Sequence, residues 1–192
     1  MKCLFIVNPV SGTKSLQNNL KKFQSSILDN TSYDKIDTFY TKKRYDATNK
    51  VKSLKSDDYD LIVAVGGDGT VNEVVSGLAE SQSQIPMTLI PAGTVNDFAS
   101  YLQIPTDPLG FSQMIAQNNI QDVDLGKVGD HYFINVLAGG MFADIAFQVT
   151  KEEKNILGPL AYYLTGLREF NNEINMEMHL KIEADGKTFE ED

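Results

Sequence analysis

A turn rich in glycine, Gly66-Gly67-Asp68-Gly69-Thr70, has residue types that suit the binding of a phosphate group. Glycine permits a sharp turn and lets an anion approach the backbone without a Cβ in the way. Backbone N–H groups at the start of a helix, together with the helix dipole, favour a negatively charged ligand. Taken alone, the turn is equally compatible with a tight connection between two elements, since glycine makes up about 7% of average sequences.

The residues on either side of this glycine turn predict a strand before it and a helix after it. Residues 61–65 form an unbroken, largely β-branched apolar run, which is typical of a central strand buried on both faces. Four apolar residues then recur at helical spacing: Val71, Val74, Val75 and Leu78. The sequence therefore predicts that the glycine turn opens a helix.

Two further turns of similar composition follow other predicted strands. The first turn, NPVSGTK, follows the apolar residues 3–7, and the third turn, PAGTVNDFA, follows residues 86–90. The carboxyl ends of parallel strands meet at one edge of a sheet, where open α/β folds bind ligands. Glycine N–H groups and hydroxyls from the three turns suit a polyphosphate, although no turn has the P-loop or the GxGxxG spacing.

The whole pattern predicts an α/β fold with a mostly parallel sheet and helices on both faces, followed by a β-rich region. Further helices are predicted at residues 16–28, 45–54, 98–102 and 109–117, and a strand at 33–40. Residues 121–128 and 132–138 predict a hairpin around Gly129-Asp130. Beyond it we predict helices at residues 142–149 and 160–170, and strands at 176–183 and 187–191.

Composition excludes several classes of protein. The 192 residues have a formal net charge of −9, which argues against a nucleic-acid partner, and the one basic run, Lys42-Lys43-Arg44, is typical of a solvated loop. The single Cys3 excludes a disulfide framework and a cysteine-ligated zinc site. No stretch approaches the roughly 18 apolar residues of a membrane span. We expect a cytoplasmic protein without a transmembrane segment.

The three turns, in this order and at these distances, resemble those of the diacylglycerol kinase catalytic-domain family of bacterial lipid kinases, which is related to the sphingosine kinases. The quoted motifs are NPVSG, GGDGTVNEV and PAGTVNDFA. Three further features fit the same family: Thr41 with Asp46-Ala47 after it, Asp124-Leu125-Gly126, and KNILGPLAYYLTGLREF. The resemblance extends over essentially the whole chain.

The resemblance implies an ATP-dependent transferase of phospholipid metabolism that moves the γ-phosphate to a lipid hydroxyl, with Mg²⁺. It implies a nucleotide-binding domain at residues 1–127 and an incomplete β-sandwich-like lipid-side domain at 128–192. The ATP site would be lined by Asn8, Pro9, Val10, Ser11, Gly12 and Thr41. The phosphates would lie against Gly66, Gly67, Asp68, Gly69, Thr70, Val71 and Asn72, with a hydroxyl from Thr94.

Two charged residues close in sequence to these motifs, Lys14 and Glu73, have two interpretations each. Lys14 either adds positive charge to this site or is an ordinary surface lysine. Glu73 either reaches the nucleotide or lies in the first turn of its helix, where an acidic side chain is favoured by the helix dipole.

Three aspartates are candidates for a metal site. A carboxylate at Asp68 would repel ATP unless it orients Mg²⁺, an ordered water or a neighbouring backbone group. Asp97 and Asp124 fall where they would face the same cleft, and we hypothesise that the three converge on a metal-and-water network. The alternatives are helix capping for Asp97 and a strand-end turn for Asp124.

Phosphoryl transfer also needs a residue that accepts the hydroxyl proton. The resemblance implies that this residue belongs to a segment near the end of a longer chain, so we expect residues 1–192 to lack the catalytic base and to be inactive alone. The remaining acids have no spacing typical of a base, and we expect them to be solvated: Asp144, Glu152, Glu153, Glu190, Glu191 and Asp192.

The residues leave two alternatives open. An NAD kinase-like enzyme shares GGDGT but differs in the third turn, and a nucleotide-binding module would keep the ATP site without catalysis. We expect the lipid substrate to be met at a membrane surface, with peripheral attachment to the inner face. A half-built second domain would expose sheet edges, which predicts a homodimer or poor stability.

Overall fold

The structure is a computed structural model that describes residues 1–11, 14–137, 180–184 and 187–191. The chain divides into two compact units, Met1–Val136 and Leu137–Asp192. The glycine turn, the third turn and the described part of the first turn all belong to the first unit. The predicted domain boundary at residue 127 stays a prediction.

The first unit contains a four-stranded parallel sheet with the strand order β2-β1-β3-β4. The strands are β1 (Lys2–Val7), β2 (Lys35–Tyr40), β3 (Leu61–Gly66) and β4 (Met87–Pro91). The two central strands, β1 and β3, are buried along almost their whole length, which explains their unbroken apolar sequences.

Helices cover both faces of this sheet. They are α1 (Lys14–Asn30), α2 (Asp46–Lys52), α3 (Asp68–Ser81), α4 (Asp97–Tyr101) and α5 (Pro108–Gln117). Successive strand residues point to opposite faces. Leu4 and Ile62 pack with buried side chains of α2, α3 and α4, whereas Phe5 and Val63 pack with those of α1 and α5. The predicted α/β fold with helices on both faces is confirmed.

Helix α3 lies very close to α2 at Gly77. A Cβ added at Gly77 would come within 2.7 Å of the Val51 Cβ and 2.9 Å of the Thr48 carbonyl oxygen. The Thr48 hydroxyl also donates a hydrogen bond to the carbonyl of Glu73 at 2.9 Å. The helix that begins in the glycine turn is therefore fixed against α2 by close backbone approach.

Two short antiparallel hairpins complete the described part of the chain. Strands β5 (Gly126–Val128) and β6 (His131–Phe133) pair across the predicted Gly129-Asp130 turn, where Gly129 has a φ of 54°, a left-handed value that glycine adopts readily. In the second unit, β7 (Leu180–Ala184) pairs with β8 (Lys187–Glu191). The predicted strand at residues 187–191 is confirmed.

Three predicted strands differ from the observed ones. The strand at 121–128 is wrong over residues 121–125, because the ladder with β6 includes only three residues and a strand forms where a neighbour satisfies its backbone. For the same reason β6 ends at Phe133, and the predicted strand is wrong over residues 134–137. The strand predicted at residues 33–40 begins only at Lys35, and Tyr33, which precedes it, is buried with side chains of α1 and α5.

Several predictions fall outside the described residues. They are the helices at 142–149 and 160–170, the start of the strand at 176, and Asp144, Glu152, Glu153 and Asp192. Glu190 is exposed, as expected of a solvated acid. In the described part of the chain, no helix has both the length and the apolar character needed to cross a bilayer.

Candidate phosphate-binding site

The three turns meet at one edge of the sheet, as the sequence predicts. Strands β1, β3 and β4 are neighbours and run in the same direction. At their carboxyl ends the N–H of Asn8 donates to the carbonyl of Val65 at 2.9 Å, and the N–H of Ala92 donates to the carbonyl of Gly66 at 2.8 Å. The first and third turns therefore begin on either side of the glycine turn.

The glycine turn delivers the N-terminus of α3 to this edge. Gly67 has extended dihedrals and caps the helix, and its carbonyl accepts the N–H groups of Thr70 and Val71 at 2.9 and 3.2 Å. The N–H groups of Asp68 and Gly69 lie in the first turn, where they have no intrahelical acceptor. Gly69 is exposed, and a Cβ added there would have no atom within 4 Å. This end of the helix is open to a ligand.

Two glycines of this region serve close packing between turns. A Cβ on Gly67 would lie 3.0 Å from the Cα of Gly93, and a Cβ on Gly93 would lie 2.6 Å from the Cα of Gly67. Any side chain at either position would force the glycine turn and the third turn apart. Gly67 was predicted to contact the phosphates, with a tight turn as the alternative, and Gly93 was not among the predicted site residues.

Asp68 holds a backbone group of the third turn. Its carboxylate accepts a hydrogen bond from the N–H of Asn96 at 3.0 Å. Asn96 has a φ of 55°, and its side chain bonds to both the N–H and the carbonyl of Gly93, at 2.7 and 2.8 Å. Of the three roles considered for Asp68, the structure shows the orientation of a neighbouring backbone group.

Asn96 is a positioning residue that sequence reasoning missed. Asparagine tolerates the left-handed conformation better than most residues, and here it comes directly before the helix that starts at Asp97. That combination was the signal that would have found it.

Thr70 joins the glycine turn to the first turn. The Asn8 side-chain amide donates to the Thr70 hydroxyl at 3.2 Å, and the other end of that amide accepts the N–H of Val10 at 3.1 Å. Thr70 is buried, and a Cβ at Gly66 would overlap its side chain. Gly66 thus makes room for Thr70.

Glu73 has a role that neither of its two interpretations included. Its carboxylate accepts the backbone N–H groups of Tyr45 and Ala47 at 3.0 and 3.2 Å, at the start of α2. An acid at a helix N-terminus satisfies N–H groups that lack partners within the helix. This contact spans 28 residues of sequence to Tyr45, so local pattern gave no signal for it.

Asn72 bonds to strand β6. Its side-chain amide donates to the carbonyl of Tyr132 at 3.2 Å, and its side-chain oxygen accepts the N–H of Ile134 at 3.2 Å. The residue predicted to line the phosphates thus has both ends of its amide engaged by the backbone of the β5–β6 hairpin.

The loop after β2 lies at the same edge of the sheet. Thr41 is buried, and its N–H donates to the carbonyl of Val7 at 2.9 Å. The Asp46 carboxylate accepts the N–H groups of Lys42 and Lys43 at 2.8 and 3.1 Å, and these bonds lower the pKa of that carboxyl. The basic run is exposed, as predicted for a solvated loop.

The other predicted site residues are distributed as follows. Pro9, Val10 and Thr94 are exposed, Ser11 is partly buried, and Val71 is buried in the core cluster beneath α3. Gly12 and the side chain of Lys14 lie outside the described residues.

The predicted metal site has no cluster of ligands in the described residues. Among them, no group of three or more His, Cys, Asp or Glu side chains lies close enough together to hold a metal ion. Asp97 is the exposed first residue of α4, and Asp124 is exposed in the irregular segment before β5. The three carboxylates do not fit a protein-only Mg²⁺ site. Because Mg²⁺ often binds through substrate phosphates and one or two carboxylates, the metal-and-water network stays a prediction.

A parallel sheet whose glycine turn opens a helix at its carboxyl edge is typical of α/β proteins that bind phosphorylated ligands. Residues 2–128 match the diacylglycerol kinase catalytic domain family, and the chain belongs to that family. The predicted family resemblance is confirmed.

Three similar proteins are likewise described as diacylglycerol kinases. The diacylglycerol kinase of Staphylococcus aureus strain MRSA252 is 36% identical over 185 residues, covering 96% of this chain and 58% of the relative. That of Staphylococcus haemolyticus strain JCSC1435 is 36% identical over 190 residues, covering 98% and 56%. The crystal structure of a diacylglycerol kinase from Bacillus anthracis strain Sterne superposes with a TM-score of 0.69 at 31% identity, covering 99% of this chain and 61% of that one. The chain therefore spans less than two thirds of the length of these relatives.

Proposed function

We propose that the first unit binds the phosphates of ATP at the glycine turn, and that the whole protein transfers the γ-phosphate to a lipid hydroxyl. The observation that carries the proposal is the open N-terminus of α3, where the N–H groups of Asp68 and Gly69 lack intrahelical acceptors. Family membership supports the reaction, and the name shared by the relatives supports diacylglycerol as the acceptor.

The polar side chains of the turn act by holding the phosphate-binding backbone in place. Asp68 fixes the third turn through Asn96, and Thr70 fixes the first turn through Asn8. Phosphoryl transfer depends chiefly on positioning and charge stabilisation, so a rigid set of N–H donors is what this edge contributes. Mg²⁺ bound with the nucleotide would neutralise phosphate charge during the transfer.

We propose further that residues 1–192 bind nucleotide without carrying out appreciable transfer. Three acids of the turn region already accept backbone N–H groups: Asp46, Asp68 and Glu73. These contacts with protein backbone give the three acids structural roles, and none of them is proposed as the base. The lipid would be met by peripheral contact with a membrane surface, at the inner face of the membrane.

The test is a titration of residues 1–192 with ATP and Mg²⁺, followed by an assay of phosphate transfer to diacylglycerol in mixed micelles. We expect saturable nucleotide binding without appreciable transfer. Absence of ATP binding would contradict the proposed ATP site. Rapid phosphate transfer to diacylglycerol would contradict the proposal that the base is missing. Adenosine is the matched control ligand, because it lacks the phosphates. Transfer to NAD instead of lipid would favour the NAD kinase-like alternative.

A further inference from the structure

The Asn72 side chain contacts β6 as a neighbouring strand would. It donates to the carbonyl of Tyr132 and accepts the N–H of Ile134, both at 3.2 Å. In a parallel ladder, one residue likewise bonds to the carbonyl before and the N–H after the residue opposite it. The two bonds, here called the Asn72 clamp, therefore supply β6 with a partner on α3.

The β5–β6 hairpin has little other support within the described residues. Each strand is three residues long, and an isolated two-stranded hairpin is marginally stable in water. Ile134, which follows β6, packs against the core cluster beside α3. The clamp and this apolar contact fix the hairpin at the second turn of the helix whose first turn is the glycine turn.

We infer that Asn72 is a positioning residue that couples nucleotide binding at the glycine turn to the order of the β5–β6 hairpin. The inference rests on the proposed binding of ATP. A phosphate at the N-terminus of α3 restrains the first turns of the helix, and the clamp passes that restraint to the backbone of β6. Coupling of this kind is reciprocal, so an ordered hairpin must also strengthen nucleotide binding by the same factor.

Hydrogen exchange on residues 1–192 first measures how strongly Asn72 holds the β5–β6 hairpin. In the absence of ATP, we expect Asn72→Ala to speed exchange at the Ile134 N–H by at least about tenfold, because the Ile134 N–H loses its acceptor and the Tyr132 carbonyl loses its donor. Ser76→Ala, one turn further along α3, is the matched control and is expected to leave that rate unchanged. Asn72→Asp keeps the acceptor for Ile134 but loses the donor to Tyr132, so its rate should fall between those of wild type and Asn72→Ala.

The coupling itself is tested with ATP and Mg²⁺ present. In the wild type, ATP is expected to slow hairpin exchange, and in Asn72→Ala this slowing is expected to disappear. By reciprocity, the factor of slowing in the wild type should match, within about threefold, the factor by which Asn72→Ala weakens ATP binding. Unchanged ATP affinity in Asn72→Ala, or equal slowing in both proteins, would overturn the inference.

Failure of the proposed function gives a different result. If the wild type does not bind ATP at all, the proposed ATP site is wrong and the proposed coupling is wrong as well. The exchange rates without ATP still decide whether Asn72 holds the hairpin. Equal basal rates in wild type, Asn72→Ala and Ser76→Ala would contradict the clamp whatever the nucleotide does.

Discussion

The carboxylate of Asp68 accepts a hydrogen bond from the backbone N–H of Asn96 at 3.0 Å, and this single bond joins the starts of α3 and α4. The bond between Asn8 and Thr70 makes the matching connection to the first turn. Polar side chains of the sequence motif thus hold the three turns together. We propose that the backbone N–H groups of the glycine turn bind the phosphates.

Replacing Asp68 tests its role in joining two turns. We expect Asp68→Ala to lower the free energy of unfolding by about 1–3 kcal/mol, because the Asn96 N–H loses its acceptor. Asp68→Asn keeps an acceptor oxygen and should cost less than about half of that loss. Chemical denaturation measures both. If Asp68→Asn proved as destabilising as Asp68→Ala, the negative charge of Asp68 would determine the stability rather than the geometry of its hydrogen bond.

Gly77→Ala tests the close approach of α2 and α3. A methyl group there would meet the Val51 Cβ and the Thr48 carbonyl oxygen. We expect a net loss of about 1–3 kcal/mol in unfolding free energy, although alanine favours an isolated helix by about 1 kcal/mol. Ser76→Ala places alanine at the preceding residue without adding an atom, and it should be neutral or slightly stabilising. A stabilised Gly77→Ala protein would show that the helices have room to separate.

Burial of Cys3 predicts a loss of stability at alkaline pH. Burial raises the pKa of its thiol from 9.0 to about 12. Between these values the unfolded chain loses a proton that the folded chain keeps, so stability is full below about pH 9 and falls as pH rises. Burial, with smaller contributions from Cys3 and Asp60, raises the pKa of Tyr33 from 10.0 to about 12, which adds a second loss at higher pH.

The Cys3 contribution is separated by a variant. Between about pH 9 and pH 10, we expect the wild type to lose about 1 kcal/mol more unfolding free energy than Cys3→Ala, measured by denaturant titration under reducing conditions. The cavity left by alanine lowers stability at every pH and cancels in the difference. Parallel curves for the two proteins over this interval would contradict the assignment.

The β7–β8 hairpin predicts self-association. Ile182 and Phe189 are paired across the two strands and are 47% and 54% exposed. Within the described residues this sheet has only two strands, and an exposed apolar pair on such a sheet favours contact with another copy. We expect light scattering of residues 1–192 to show a concentration-dependent mass that decreases in Phe189→Lys. Thr188→Lys adds the same charge to the other face of β8 and is the control. A monodisperse wild-type monomer would rule out this association.

The sequence predicted the sheet well because β1 and β3 are buried along almost their whole length, so residues 3–7 and 61–65 are apolar throughout. It predicted poorly where structure depends on a neighbour. Residues 121–125 alternate like a strand, but the ladder with β6 begins only at Gly126. The β-propensity of a short segment is realised only where another strand pairs with it.

The three turns lie at one sheet edge as predicted, whereas the contacts of several of their residues were not predicted. Three turns at one sheet edge follow from strand order, which local pattern conveys. The hydrogen-bond partners of Asn72 and Glu73 are 60 and 28 residues away in sequence, at Tyr132 and Tyr45. No local spacing encodes contacts of that length. Asn72 was therefore predicted to contact the phosphates, and Glu73 to reach the nucleotide or to lie in the first turn of its helix, although both side chains bond to protein backbone.

Gly69→Ala tests whether the backbone at the start of α3 binds the phosphates of ATP. A methyl group added at Gly69 has open space around it, and alanine is the better helix former. The variant should therefore keep or slightly increase the unfolding free energy. A helical Cβ tilts toward the N-terminus, which brings the new methyl group to the proposed phosphate position.

The decisive measurement is the dissociation constant for ATP of wild type and Gly69→Ala, determined by calorimetry, with adenosine as the control ligand. We predict at least about tenfold weaker ATP binding by Gly69→Ala, a loss of about 1.4 kcal/mol, with unfolding free energy and adenosine binding unchanged. Equal ATP affinity in the two equally stable proteins would contradict phosphate binding at the glycine turn.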